Sequence, residues 1–145
     1  RVSDFLARLV DLDTNQDLAN IVWNNYSGSI RLLLDNQFVY APYWDHQNGL
    51  PDSDDWQQRF ETDKRASHRA LANHDTATVL SIVFSRLYPL RNQLIHGGAT
   101  FGGSVNRKQL HDGARILGDV VPAIINIMMD NAKQHWGEAC YPVKA

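Results

Sequence analysis

Two long amphipathic segments in the second half of the chain constrain its fold more than any other feature. The first runs from Asp75 or Thr76 to His96, and the second starts after Asn106 and runs to about His135. Apolar residues recur in both in steps of three and four, the spacing of one face of an α-helix. These residues are Leu80, Val83, Leu87, Leu90 and Leu94 in the first segment, and Leu110, Ala114, Leu117, Val121, Ile124 or Ile125, Met128 and Ala132 in the second. Because such faces must be buried, both segments predict helices of a bundle.

Local signals refine these two predicted helices. Pro89 and Pro122 each remove one backbone donor from a helix interior, which predicts a kink at each proline. Asn106 is the predicted N-cap of the second helix, because its side chain can accept a hydrogen bond from the first turn.

The first half of the chain predicts shorter helices. Residues 3–12 have the apolar spacing of a helix, and Thr14 followed by Asp17 resembles a capping box that starts the next one. Further helices are predicted after residues 27–29 and over 53–73. The predicted fold class is therefore all-α: a helical bundle of about five to six helices, with two long helices flanking the motif loop.

Length and composition indicate one globular domain. A chain of 145 residues with 43% apolar residues can bury a single core, so residues 1–145 are predicted to form one helical domain. The chain opens with Arg1 rather than Met, and we expect it to be the C-terminal part of a longer protein. No apolar run approaches the roughly 18 residues of a membrane span and no signal peptide is visible, which predicts a cytoplasmic protein without a membrane partner. With Cys140 as the only cysteine, no internal disulfide and no Cys-based zinc site can form.

The residues that carry chemistry lie at the end of the first long helix. Arg91 is followed directly by Asn92 and, after a gap of four residues, by His96. Asn92 and His96 share one helix face, whereas Arg91 lies roughly 140° around the axis from His96. Only a long side chain such as that of arginine can bring its head to the same place.

These residue types suit cleavage of a phosphodiester bond. A histidine can take or give a proton near neutral pH, and the negative end of the helix dipole favours its imidazolium form. A guanidinium beside it can hold a phosphate through two hydrogen bonds and neutralise developing charge. We therefore assign Arg91, Asn92 and His96 as candidate catalytic residues, with no metal and no cofactor implied.

The segment resembles the signature of the HEPN superfamily, an Arg followed after four to six residues by His, commonly with Asn, Asp or His directly after the Arg. Arg91, Asn92 and His96 match it late in a long helix that precedes a second long helix. The resemblance is specific over about residues 76–131. It implies a helical bundle, usually a homodimer in which the two motifs face each other across the dimer axis. It further implies endoribonuclease activity on RNA, in toxin–antitoxin, phage-defence or RNA-processing settings, with an antitoxin or regulatory protein as a partner.

Gly98 marks one departure from a subset of this family. Some HEPN toxins carry a Tyr two positions after the His, which their partner modifies, and Gly98 stands there instead. That mode of regulation is therefore not carried over. Two alternatives remain open: a non-catalytic HEPN-like module that binds RNA, a nucleotide or a protein, and a plain helical interaction domain in which Arg91 and His96 have structural roles only.

The distribution of charged residues limits the regions of the chain that can bind RNA. The net charge is -2, so the chain as a whole does not attract nucleic acid, and contact must come from a local basic patch. Residues 86–115 contain five basic residues and one acid, Asp112. We assign Arg86, Arg107 and Lys108 to a phosphate-binding rim, with a solvated face as the alternative.

Two other groups of residues have side chains that can bind a metal ion or a base. His68 and His74 are six residues apart with no third ligand evident, so no metal site is predicted. The aromatic stretch 38–44, which contains Pro42, is predicted to be irregular. Its Tyr40, Tyr43 and Trp44 either stack on bases or, as we favour, pack onto the bundle.

Overall fold

The computed structural model describes residues 2–95, 103–134 and 136, and for residues 92–95 and 103–106 it describes the backbone. Within these residues the chain forms seven α-helices and no strand, which confirms the predicted all-α bundle. The helices are α1 (Val2–Leu12), α2 (Asp17–Asn20), α3 (Ser27–Asp35), α4 (Ala41–Gln47), α5 (Trp56–Ala72), α6 (Thr76–Ile95) and α7 (Gly103–Asp130). A π-helical turn (Ile21–Asn25) continues α2, and a 3-10 turn (Gln37–Val39) precedes α4.

The two long helices form as predicted, with different ends for the second. Asp75 caps α6, since its carboxylate accepts bonds from the backbone N–H and the hydroxyl of Thr78. The predicted N-cap of α7 is wrong, because the helix already begins at Gly103 and Asn106 lies in its first turn. α7 also ends at Asp130 rather than near His135. Both helices run through their prolines, Pro89 and Pro122, without a break in helical structure.

The aromatic stretch predicted to be irregular is largely helical. Pro42 lies in the first turn of α4, where backbone N–H groups have no helical partner and proline therefore costs nothing. Tyr40 is buried with Trp56 and Phe60, and Tyr43 packs against this cluster. The indole of Trp44 donates to the carbonyl of Phe38 at 2.8 Å. The stretch thus packs onto the bundle, as the favoured alternative predicted.

The main core surrounds α6. This helix contacts α1, α3, α4, α5 and α7, and its Val79, Leu80, Val83 and Leu90 are almost fully buried. Among the described side chains of α6, residues 76–91, the exposed ones are Thr78, Ser85, Tyr88 and Arg91. The exposed side chains described on α6 therefore follow one flank of the helix, which winds from Thr78 to Arg91.

The start of α2 is fixed by an aspartate rather than by the predicted threonine. Asp13 accepts hydrogen bonds from the backbone N–H groups of Asp17 (3.1 Å) and Leu18 (2.8 Å), and it is 8% exposed. No side-chain hydrogen bond of Thr14 takes part, so the predicted capping box is wrong.

Asp13→Ala and Thr14→Ala form a matched pair that tests this cap. Asp13→Ala leaves two backbone donors without acceptors, and we expect the free energy of unfolding to fall by about 1–2 kcal/mol. Thr14→Ala, at an exposed position next to it, is expected to change stability by at most about 0.5 kcal/mol. Chemical denaturation of both variants measures the difference, and equal stabilities would contradict the assignment.

Candidate functional site

The geometry of the predicted site depends on how α6 and α7 lie against each other. The start of α6 lies near the π-helical turn, where the Trp23 indole donates to Thr76 at 2.9 Å. The end of α7 lies at the same end of the bundle, since Asp130 and Asp17 line one cleft. The two helices are therefore antiparallel. The end of α6 and the beginning of α7 share the opposite end of the bundle.

A close approach sets the register of this helix pair. A Cβ atom built on Gly113 of α7 would lie 2.6 Å from Cδ2 of Leu87 in α6, so no larger residue fits there without movement of Leu87. Because the helices are antiparallel, each step forward from Leu87 along α6 corresponds to one step back from Gly113 along α7. Arg91, four residues after Leu87, therefore lies level with Gln109. Arg91 also lies one turn after Leu87, on the side of α6 that borders α7.

Arg91 is exposed at this end of α6, where a substrate can reach it. Asn92 follows it within the helix, where the backbone alone is described. His96 lies outside the described residues, as do Gly97 and Gly98. The convergence of Arg91, Asn92 and His96 on one point therefore stays a prediction.

Arg107 and Lys108 are exposed in the early part of α7. By the register above, they lie within roughly 3 Å of the level of Arg91 along the helix axis. Around α7, however, they lie about 120° and 140° from Gly113, the residue that faces α6. Nζ of Lys108 is 3.3 Å from an Asp112 carboxylate oxygen, and the lysine side chain remains 68% exposed. Such an exposed pair contributes little and leaves the ammonium group available to a phosphate. Three of the predicted basic residues thus share one end of the bundle.

Arg86 does not belong to this exposed rim. It is 3% exposed, and its guanidinium carbon lies 4.6 Å from the centroid of the Tyr40 ring and 5.7 Å from that of Phe60. The prediction that Arg86 belongs to an exposed rim is wrong. Arg86 precedes Arg91 by five residues, which places the two side chains roughly 140° apart around the helix. Arg86 therefore packs into the core between α5 and α6.

Hydrogen bonding next to Arg86 has a clear electrostatic consequence. The Tyr40 hydroxyl donates to Asp63 Oδ2 at 2.5 Å. Burial, reinforced by this hydrogen bond and by the carboxylate charge, raises the pKa of Tyr40 to about 12. Burial also lowers the pKa of Arg86, against the opposing influence of Tyr40 and Asp63.

A second basic surface went unnoticed in the sequence. Lys64, Arg65, His68 and Arg69 follow one face of α5, and together with Glu61 and Ala72 they line a shallow cleft. His68 is engaged there with Asp35, at 3.1 Å. The spacing of three and four residues was available in the sequence, but the nearby acids of α5 obscured it.

The two histidines considered for a metal site lie in separate environments. His68 contacts Asp35, whereas His74 stacks on Trp23 with ring centroids 4.2 Å apart. Across the described parts of the chain, no three His, Cys, Asp or Glu residues lie close enough together to hold a metal ion.

Comparisons of the chain with protein families, with curated proteins and with solved structures found no match. A search for membrane-spanning helices over residues 2–95, 103–134 and 136 found none of sufficient length and apolar character.

The raised pKa of Tyr40 predicts how stability depends on alkaline pH. The folded-state pKa of about 12 exceeds the unfolded value of 10, so folding favours the neutral phenol. The resulting stability is fully present below pH 10 and is lost as the pH rises towards 12. We expect the stability difference between the parent and Tyr40→Phe to stay constant below pH 10 and to shrink above it. Denaturant unfolding measured across this range checks the sign, and a difference that grows with pH would contradict it.

Proposed function

We propose that this chain is a metal-independent endoribonuclease of the HEPN type. The observation that carries the proposal is the exposure of Arg91 near the end of α6, at the same end of the bundle as exposed Arg107 and Lys108 on α7. Three exposed cations at one end of the bundle support a surface along which an RNA backbone can bind. His96 follows the last residue of α6 by one position, as the resemblance requires.

The proposed reaction is an internal phosphoryl transfer. His96 takes the proton of the ribose 2′-OH, and the 2′-oxygen attacks the adjacent phosphorus. Arg91 neutralises the charge that develops on the phosphoryl oxygens, and Asn92 orients the phosphate. The bond to the 5′-oxygen breaks as that oxygen receives a proton from the imidazolium. The products are a 2′,3′-cyclic phosphate and a free 5′-hydroxyl.

The setting is part of the same proposal. A single cysteine is consistent with a reducing compartment, and we place the protein in the cytoplasm. An antitoxin or another regulatory protein would then hold the nuclease inactive until RNA cleavage is required, as the resemblance implies.

Cleavage assays with RNA and with DNA of the same sequence test the chemistry. We expect RNA alone to be cut, with or without EDTA, because the nucleophile is the 2′-OH and no metal takes part. His96→Ala should lower the rate by about 10²–10⁴-fold, the usual contribution of a general acid or base. Arg91→Lys should also be poorly active, since a lysine cannot form the two-pronged hydrogen bond of arginine.

Matched controls separate catalysis from folding and from general charge. Arg59→Lys and His68→Ala alter an exposed arginine and an exposed histidine on α5, and we expect parental cleavage rates. The melting temperature of His96→Ala should stay close to that of the parent. Intact RNA after incubation with the well-folded parent would favour the non-catalytic binding module, and DNA cleavage or inhibition by EDTA would exclude the proposed mechanism.

The proposed nuclease is a homodimer in which two motifs face each other. The side chain that supports this arrangement is Tyr88, which is 60% exposed and lies one turn before Arg91. A different exposed apolar row, Val121, Ile125 and Met129, follows α7 in steps of four but lies at the far end of the bundle. A two-fold contact along that row would hold the two Arg91 residues apart.

Substitution by lysine at Tyr88 or at Ile125 distinguishes a dimer formed through α6 from one formed through the apolar row of α7. We expect Tyr88→Lys to dissociate the dimer and to abolish RNA cleavage, and Ile125→Lys to leave both intact. Light scattering gives the mass, against 16.4 kDa for one chain, and the cleavage assay gives the activity. A parent that stays monomeric at every concentration, or a dimer that Ile125→Lys alone dissociates, would contradict the motif-to-motif assembly.

A further inference from the structure

The second site that we infer begins with an unsatisfied buried cation. Nε of Arg86 is buried and has no hydrogen-bond partner, and none of the ion pairs among the described residues includes Arg86. A buried N–H without a partner destabilises the folded state, and more so when it carries charge. The aromatic rings of Tyr40 and Phe60 stabilise the face of the guanidinium but cannot accept the in-plane bonds of its edge. Nε–H of Arg86 thus lacks an acceptor.

A cleft adjoins this guanidinium. It has a volume of about 290 Å³, lies between α5 and α6 beside Tyr40, and is open to solvent on one side. Its lining residues are Tyr40, Asp63, Ala66, Ser67, Ile82, Ser85 and Arg86. The hydroxyls of Ser67 and Ser85 donate to backbone carbonyls, at 2.9 and 2.6 Å, and the Tyr40 hydroxyl donates to Asp63. Among these polar lining groups, Nε–H of Arg86 is a donor that no hydrogen bond uses.

We infer that this cleft binds a compact, singly charged carboxylate, held by the guanidinium edge of Arg86. A planar carboxylate matches the arginine fork and forms the short, charge-assisted hydrogen bonds that Arg86 lacks. Asp63 limits the charge of the ligand, because its own carboxylate lines the same cleft and repels a dianion such as a phosphate monoester. The cleft is also small, at the lower end of the usual size of ligand pockets. The site is independent of the proposed nuclease centre, since Arg86 and Arg91 face different sides of α6.

Formate is the simplest probe of this site, because it contains little beyond the carboxylate group. The Nε–H signal of Arg86 in a ¹H–¹⁵N spectrum reports directly on the edge in question, and Arg86→Lys assigns it by its loss. We expect this signal to shift in a saturable way on addition of sodium formate, with a Kd of about 1 mM or weaker for so small a ligand. Sodium chloride at the same ionic strength, and phosphate as the dianion, should give no saturable shift.

Asp63→Asn tests the charge limit while it leaves Arg86 in place and keeps an oxygen to accept from Tyr40. We expect this variant to bind formate about threefold more tightly or better, since a repelling charge is removed, and to bind the phosphate dianion as well. Arg31→Met is the matched control, because it removes an exposed positive charge from α3, outside the cleft lining, and should leave formate binding unchanged. An Arg86 signal that fails to saturate with formate, or that responds equally to chloride, overturns the inference. So does weaker formate binding by folded Asp63→Asn.

Discussion

Burial of α6 is the constraint on which the rest of the structure depends. Five other helices contact this one, and most of its described side chains are buried or half-buried. Among the side chains described for α6, the exposed ones run from Thr78 through Ser85 and Tyr88 to Arg91. The position of a residue around this helix therefore decides whether it takes part in packing or in contact with a ligand.

The two arginines of α6 illustrate how strongly this constraint acts. Arg91 is exposed, and the antiparallel partner α7 brings Arg107 and Lys108 to the same level. Arg86 lies five residues earlier and is enclosed by Tyr40 and Phe60. Arg91 is thus accessible to a large ligand such as a nucleic-acid backbone, whereas Arg86 is accessible only to a small ligand. Identical side chains on one helix have different chemistry because a helix turns by about 100° per residue.

The same geometry explains what the sequence could and could not predict. Apolar spacing correctly predicted both long helices, since the spacing is a direct consequence of the buried face. The local start signals were less reliable: Thr14 and Asn106 have the right chemistry for caps, but Asp13 fills the first role and α7 begins at Gly103. Arg86 was predicted to be exposed but is buried, because a count of charges along the chain does not take account of their direction around the helix. The cleft beside it could not be predicted, since Tyr40, Asp63 and Arg86 are brought together by tertiary packing alone.

The separation of the two arginines also determines which experiments are informative about RNA. A substitution at Arg86 removes a cation from between two aromatic rings, so a loss of RNA cleavage in that variant would report on packing as much as on binding. Arg91, Arg107 and Lys108 are exposed, and their substitution leaves the core around α6 untouched. Their effects on the proposed RNA cleavage can therefore be compared at constant stability. A graded loss is expected if phosphate binding is shared among the three cations, whereas a much larger loss at Arg91 alone identifies the residue at the reacting phosphate.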